Sequence, residues 1–138
     1  MRVRFFLLAF FVSVTFSANA QIQPAAAPPR SIGKDLMVKG LSDLPGKEVV
    51  VRANEYPPGT SNPPHRHDAH VFLHILEGQL IVQLKGGAPV TLNAGDTYYE
   101  SPTDIHVMSR NPSATASVKT LIFMVKEKGA PATTLVKD

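Results

Sequence analysis

The chain contains no cysteine. Disulfides are therefore excluded as a source of stability, and thiolate is excluded as nucleophile or metal ligand. Any metal must be held by histidine, aspartate or glutamate. There is no Lys/Arg run and no basic stripe, so nucleic-acid binding has no electrostatic footprint. The formal charge of +3 is raised by Arg2 and Arg4 near the start; without them the fourteen basic residues fall to twelve, against eleven acidic ones. No Gly-rich phosphate loop, G-x-S-x-G elbow or H-E-x-x-H pair is present. No serine is placed beside a base, and no segment sustains a helical period.

A hydrophobic run long enough to span a bilayer is also missing from the start of the chain. Met1–Ala20 reads MRVRFFLLAFFVSVTFSANA, with an apolar stretch over Phe5–Phe16. That is shorter than the ~20 residues a spanning helix needs. The positive start, short apolar core and small-x-small ending Ala18-Asn19-Ala20 predict a signal peptide cut after Ala20, rather than a retained anchor. The mature chain is then periplasmic or secreted, with no membrane partner after cleavage. No cysteine follows the cut, which excludes a lipoprotein anchor there. Residues 21–31, beginning QIQPAAAPPR, read as an extended, mobile Pro/Ala tether. One globular domain is expected over 32–138.

What is present in that domain is β-pattern. Strands are expected over 48–56, 70–78, 79–87, 88–96, 97–101, 106–111 and 117–125, from β-branched runs and apolar alternation. Glu77-Gly78 marks a tight hairpin and Asn93–Asp96 a turn. Four prolines in PPGTSNPP (57–64) argue against regular structure there. Residues 33–44 read equally as a turn of helix or a first strand. Short strands with frequent turn signals predict an all-β sandwich or small barrel. Strands such as VFLHIL and LIFMV are apolar on both faces. One face fills the barrel; the other needs a second sheet or a second subunit, which points to a homodimer.

Four of the five histidines lie within PPHRHDAHVFLHILEG (63–78). His65 and His67 form an H-x-H pair, and in a strand positions i and i+2 share a face. Two imidazoles on one face can bind one metal, with Pro63 and Pro64 stiffening the approach. A pair alone binds weakly, so a third ligand is required. His106 is a candidate, although nothing local forces it to meet His65. Arg66, between the pair, should face solvent. His70, Phe72 and His74 share one face of their strand.

These features resemble the cupin superfamily, whose barrels carry two motifs. Gly59, then five residues, then His65-Arg66-His67 resembles the first. Gly95-Asp96, Pro102, Asp104, His106 and Asn111 resemble the second, and the two cover residues within 56–125. The resemblance implies a single jelly-roll barrel of two antiparallel sheets with a metal inside it, held by His65, His67 and His106. It implies a divalent transition metal: Fe, Mn, Zn, Ni or Cu. The departures matter. The first motif's glutamate should fall at Val71 or Phe72, so the usual carboxylate is missing. His70 stands beside that gap and is the expected fourth ligand if a bulge turns it inward. Glu100 and Asp68 are lesser alternatives. Asp104 stands where glycine is usual, and Asn111 comes one residue late. His74 reads as a wall or interface residue, and one of Tyr98 and Tyr99 should face the pocket.

The expected function is an exported small cupin that binds a metal and a small-molecule ligand or substrate. It is either a metal-dependent enzyme of dioxygenase or isomerase type, or a non-catalytic binding module.

Overall fold

Alternate burial organises each long strand. Along Val118–Glu127, Val118, Thr120, Ile122, Met124 and Lys126 are buried while their neighbours face outward. Period-2 alternation of this kind builds a sheet with one face on a core. The computed structural model describes residues 26–136. The predicted signal peptide and the first part of the tether lie outside these described residues. The elements are β1 (Ile32–Gly40), β2 (Lys47–Tyr56), β3 (Ser61–Asn62), β4 (His65–Arg66), β5 (Ala69–Glu77), β6 (Gln79–Leu84), β7 (Val90–Asn93), β8 (Thr97–Glu100), β9 (His106–Arg110), β10 (Val118–Glu127) and β11 (Thr134–Leu135).

They form two antiparallel sheets, as the all-β jelly-roll reading expects. One sheet runs β1-β2-β10-β5-β8, and the other β11-β4-β9-β6-β7 with β3 also on β9. The core lies between them. Val50, Met124 and Val71 form one inward row of the five-stranded sheet. They face Leu80, Val82 and Leu92 of the other sheet in a single buried cluster. Gly78 makes the β5–β6 hairpin: its φ is +80°, and a Cβ there would lie 3.0 Å from the Ser117 carbonyl oxygen. Only glycine meets both conditions without strain.

Three local expectations are refined. Residues 33–44, ambiguous by pattern, supply β1, which is held by its ladder to β2 while its side chains stay exposed. Within PPGTSNPP, Ser61 and Asn62 do pair with β9. The prolines flank this two-residue ladder, so no donor is lost from it. The end of the expected tether is anchored on this strand: the Ser61 N–H donates to the Pro29 carbonyl at 3.1 Å, and the Ser31 N–H donates to Asn62 Oδ1 at 3.0 Å. β11 was not legible, being two residues paired only to β4.

At the barrel end, Lys126 is buried and donates to Glu48 Oε1 and to the Ala130 carbonyl. Hydrogen bonds from Lys126 and from the Gly129 N–H hold the Glu48 carboxyl below the usual carboxylate range.

The outer face of the five-stranded sheet is apolar across its width. Met37, Val51, Phe123, Phe72 and Tyr99 are successive cross-strand partners and so share that face. Phe72 is 50% and Tyr99 49% exposed.

Candidate metal centre

β4 is short because the chain turns at both of its ends, after Pro64 and at Asp68. His65 is buried, Arg66 exposed and His67 half-buried, as period-2 alternation requires. Asp68 has φ 49°, a left-handed conformation that Asp tolerates. It turns the chain into β5, and its carboxylate pairs outward with Arg66 Nε at 2.9 Å. Asp68 therefore stays away from the inner face.

Across the β4–β9 ladder, His65 stands directly opposite His106. Their rings stack with centroids 5.0 Å apart at 8°, and the His67 ring meets them edge-on. The three histidines offer nitrogens that all lie within 4.8 Å of one another and could hold a metal ion.

The tautomers of two rings follow from their partners, because a carbonyl oxygen can only accept. His65 Nδ1–H donates to the Pro63 carbonyl at 2.8 Å, and His67 Nδ1–H donates to the Ala132 carbonyl at 2.7 Å. Each Nε2 is left with its lone pair free. Backbone partners of this kind orient imidazole ligands in metal sites. Burial, with the neighbouring imidazoles adding to it, lowers the His65 pKa to about 4, against the opposing Pro63 hydrogen bond. The ring is thus neutral, the form a metal ligand needs.

A carboxylate stands beside this triad. Glu100 ends β8 and is buried; its Oε2 lies 2.8 Å from His106 Nε2 and 3.5 Å from His67 Nε2. Neither contact has hydrogen-bond alignment. Glu100 Oε2 and both ring nitrogens of His106 are buried without a hydrogen-bond partner. Buried polar atoms are rarely left so. Glu100 Oε2 and one orphaned His106 nitrogen, next to two Nε2 lone pairs, fit a divalent cation.

The structure does not bring His70 to this group. β5 carries Ala69, Val71, Leu73 and Ile75 inward, so His70 faces outward without the bulge that would turn it. There it shares a 2.8 Å hydrogen bond with the Tyr99 hydroxyl. His74 lies half-buried on the same outer face. Tyr98 packs against the core and Tyr99 stands outside.

The second-motif departures have structural reasons. Asp104 Oδ2 accepts from the Ser101 N–H at 2.6 Å and shapes the turn between Glu100 and His106. Asn111 is buried and donates to the carbonyls of Tyr56, Pro57 and Ala116, tying two loops together.

The triad opens on a cavity of about 520 Å³ between the sheets. Its walls include Val71, Leu73, Leu80, Val82 and Ile122. The same cavity reaches Arg52 and Asn54 on β2, which no motif marked. The visible signal was an arginine at an inward-alternating position, between Val50 and Asn54, in EVVVRANEY.

Comparison with known proteins agrees with this architecture. The DMSP lyase DddQ from Ruegeria pomeroyi DSS-3 is 21% identical with a TM-score of 0.61, over 78% of this chain and 52% of that one. The chain thus spans about half the length of that enzyme. A cupin domain from Bordetella pertussis Tohama I is 21% identical with a TM-score of 0.59, over 74% of this chain and 99% of that one. An oxalate oxidase in complex with the substrate analogue glycolate is 20% identical with a TM-score of 0.58, over 80% of this chain and 57% of that one. At these identities the likeness shows the fold. No curated protein matches the sequence. The family model described as "Cupin domain" matches residues 54–124, from the inner face of β2 through both histidine-bearing strands into β10. With two antiparallel sheets enclosing a three-histidine group, the chain belongs to the cupin family.

Proposed function

We propose that this chain is an exported cupin that holds a divalent transition metal (Fe, Mn, Zn, Ni or Cu) on His65, His67 and His106 and presents it to a small molecule in the barrel cavity. The observation that carries this reading is the convergence of three imidazoles within 4.8 Å, two of them already oriented through Nδ1. A bound metal of this kind supplies Lewis acidity or activation of bound water. The chain's own residues hold the ligand nitrogens in place and surround them with apolar walls that limit water.

The enzyme reading is favoured over passive binding by Glu100. A buried carboxylate without a hydrogen bond, set against His106 and His67, can complete the ligand set or take a proton from a bound molecule. The DMSP lyase and oxalate oxidase that share the fold are named for enzyme activities, but a shared fold does not transfer chemistry.

Elemental analysis of protein purified from the exported fraction tests the reading, with anomalous diffraction to locate the ion. The expected result is one metal at the triad, lost in His106→Ala. Protein without metal above background overturns it.

The exposed outer sheet face supports a homodimer. Four strands of nine or ten residues and the four-residue β8 make a face of roughly 670 Å² at ordinary strand spacing. A standard interface takes about 800 Å² per partner. Phe72, Phe123 and Met37 supply an apolar centre, with Lys34 and Lys39 toward its margin, the pattern of a core and polar rim. We assign that face to a second copy of this chain.

A further inference from the structure

The histidines account for one end of the cavity. The other end is built differently. Alternation along β2 turns Val50, Arg52, Asn54 and Tyr56 inward. Arg52 lies in a cross-strand row with Asp35, Ile122 and Leu73, so it sets a guanidinium on a largely apolar wall. Asp35 Oδ1 approaches its Nε at 3.1 Å, and the Asp35 side chain is 45% exposed at the rim. That contact is not a hydrogen bond: Arg52 Nε is buried without a partner, and so is the neighbouring Asn54 Oδ1. Arg30 lines the same cavity.

A third residue makes room for this pair. A Cβ at Gly33 on β1 would lie 2.6 Å from both Arg52 Nε and Asn54 Oδ1. Any side chain there would force the guanidinium to move. Glycine at this strand position thus permits a close approach, with no call on its backbone freedom.

We propose that Arg52, seated against Gly33, is a carboxylate-binding subsite, and that the cavity takes a small carboxylic acid whose far end reaches the metal triad. Guanidinium presents a fork of N–H donors that matches a carboxylate. The unpartnered Nε gains an acceptor, and Asn54 Oδ1 can accept a hydrogen bond from a hydroxyl or amine on the same molecule. Val71, Leu73 and Ile122 line the space between the two ends and suit a short apolar body. Arg52 on β2 and Glu100 on β8 are three ladder steps apart, about 14 Å between strands. A molecule touching both is therefore a chain of several atoms. This assignment rests on the ligand-cavity reading above.

The test compares 5-hydroxypentanoate with its uncharged amide by NMR titration of the purified chain, metal-loaded and metal-free, with metal content measured on every sample. The acid is expected to bind about tenfold or more tightly than the amide. That preference is expected to vanish in Arg52→Met and to fall in Gly33→Ala, which keeps the charge but displaces it. Metal content is expected to stay unchanged in both variants. The Gly33 variant lies on an exposed strand, so it decides the question even if Arg52→Met fails to fold. Equal binding of acid and amide, no binding of either, or a preference that survives both substitutions overturns the subsite. Absence of metal from the wild-type chain overturns the metal reading instead, and the acid-against-amide comparison in the metal-free protein still decides the role of Arg52.

Discussion

Val71 on β5 and Glu100 on β8 are direct partners across an antiparallel ladder. Val71 is the inward-facing one of the two positions, Val71 and Phe72, at which the first cupin motif would place its glutamate. Opposite residues on adjacent strands point to the same face with Cβ atoms about 5 Å apart. The inward carboxylate is therefore present, but it stands one strand over. The relation predicts the outcome of exchanging the two side chains. Glu100→Val should weaken metal binding by about 10- to 100-fold, as loss of a carboxylate at a metal site does. The double variant Val71→Glu with Glu100→Val should recover much of it. Competition with a chelator of known affinity checks both.

The histidines should separate cleanly by face. His106→Ala removes a ring stacked on His65 inside the barrel and should lower metal affinity by about 100-fold or more, since losing an outer partner alone costs 10- to 100-fold. His70→Ala, on the outer face against Tyr99, should leave metal content unchanged. Elemental analysis of the two variants in parallel measures this.

The C-terminal segment should matter to the site although it carries no ligand. The Ala132 carbonyl fixes the His67 tautomer at 2.7 Å, and β11 pairs with the strand that holds His65. Truncation after Pro131 should keep the barrel folded, by circular dichroism, and lower metal affinity about 10- to 100-fold.

Acid should cost stability through Glu48. Its carboxyl is held low by Lys126 and the Gly129 N–H. A group with a depressed folded pKa contributes stability that is full above the ordinary carboxylate value of about 4.3. That contribution is lost as pH falls through the lowered folded value. Glu48→Gln should reduce Tm at neutral pH, and the difference from wild type should shrink as the pH drops below that range. Thermal melts across pH measure it.

The outer face should govern assembly. Phe72→Asp puts a charge at the centre of the row formed by Phe123, Phe72 and Tyr99, and burying an unpaired charge is costly. Analytical ultracentrifugation should show a dimer for wild type and a monomer for the variant, with metal content the same.

Much of this protein was set by its sequence alone. Strand positions followed from alternation, because a half-buried strand must repeat every two residues. The hairpin at Gly78, the inward pairing of His65 with His67 and the outward Arg66 followed from the same period. Partners distant in sequence could not follow from it. His65 meets His106 only because β4 lies beside β9, and a long-range ladder leaves no local signal in either strand. β1 was undecidable by pattern because its ladder to β2 holds it without burying its side chains. His70 was the natural substitute for the missing glutamate when only chain neighbours were visible. The tertiary structure turns it outward with the unbroken alternation of β5, and brings a carboxylate across from β8. Periodicity is a property of one strand, whereas a site between two sheets is a property of their pairing, and only the folded chain decides that.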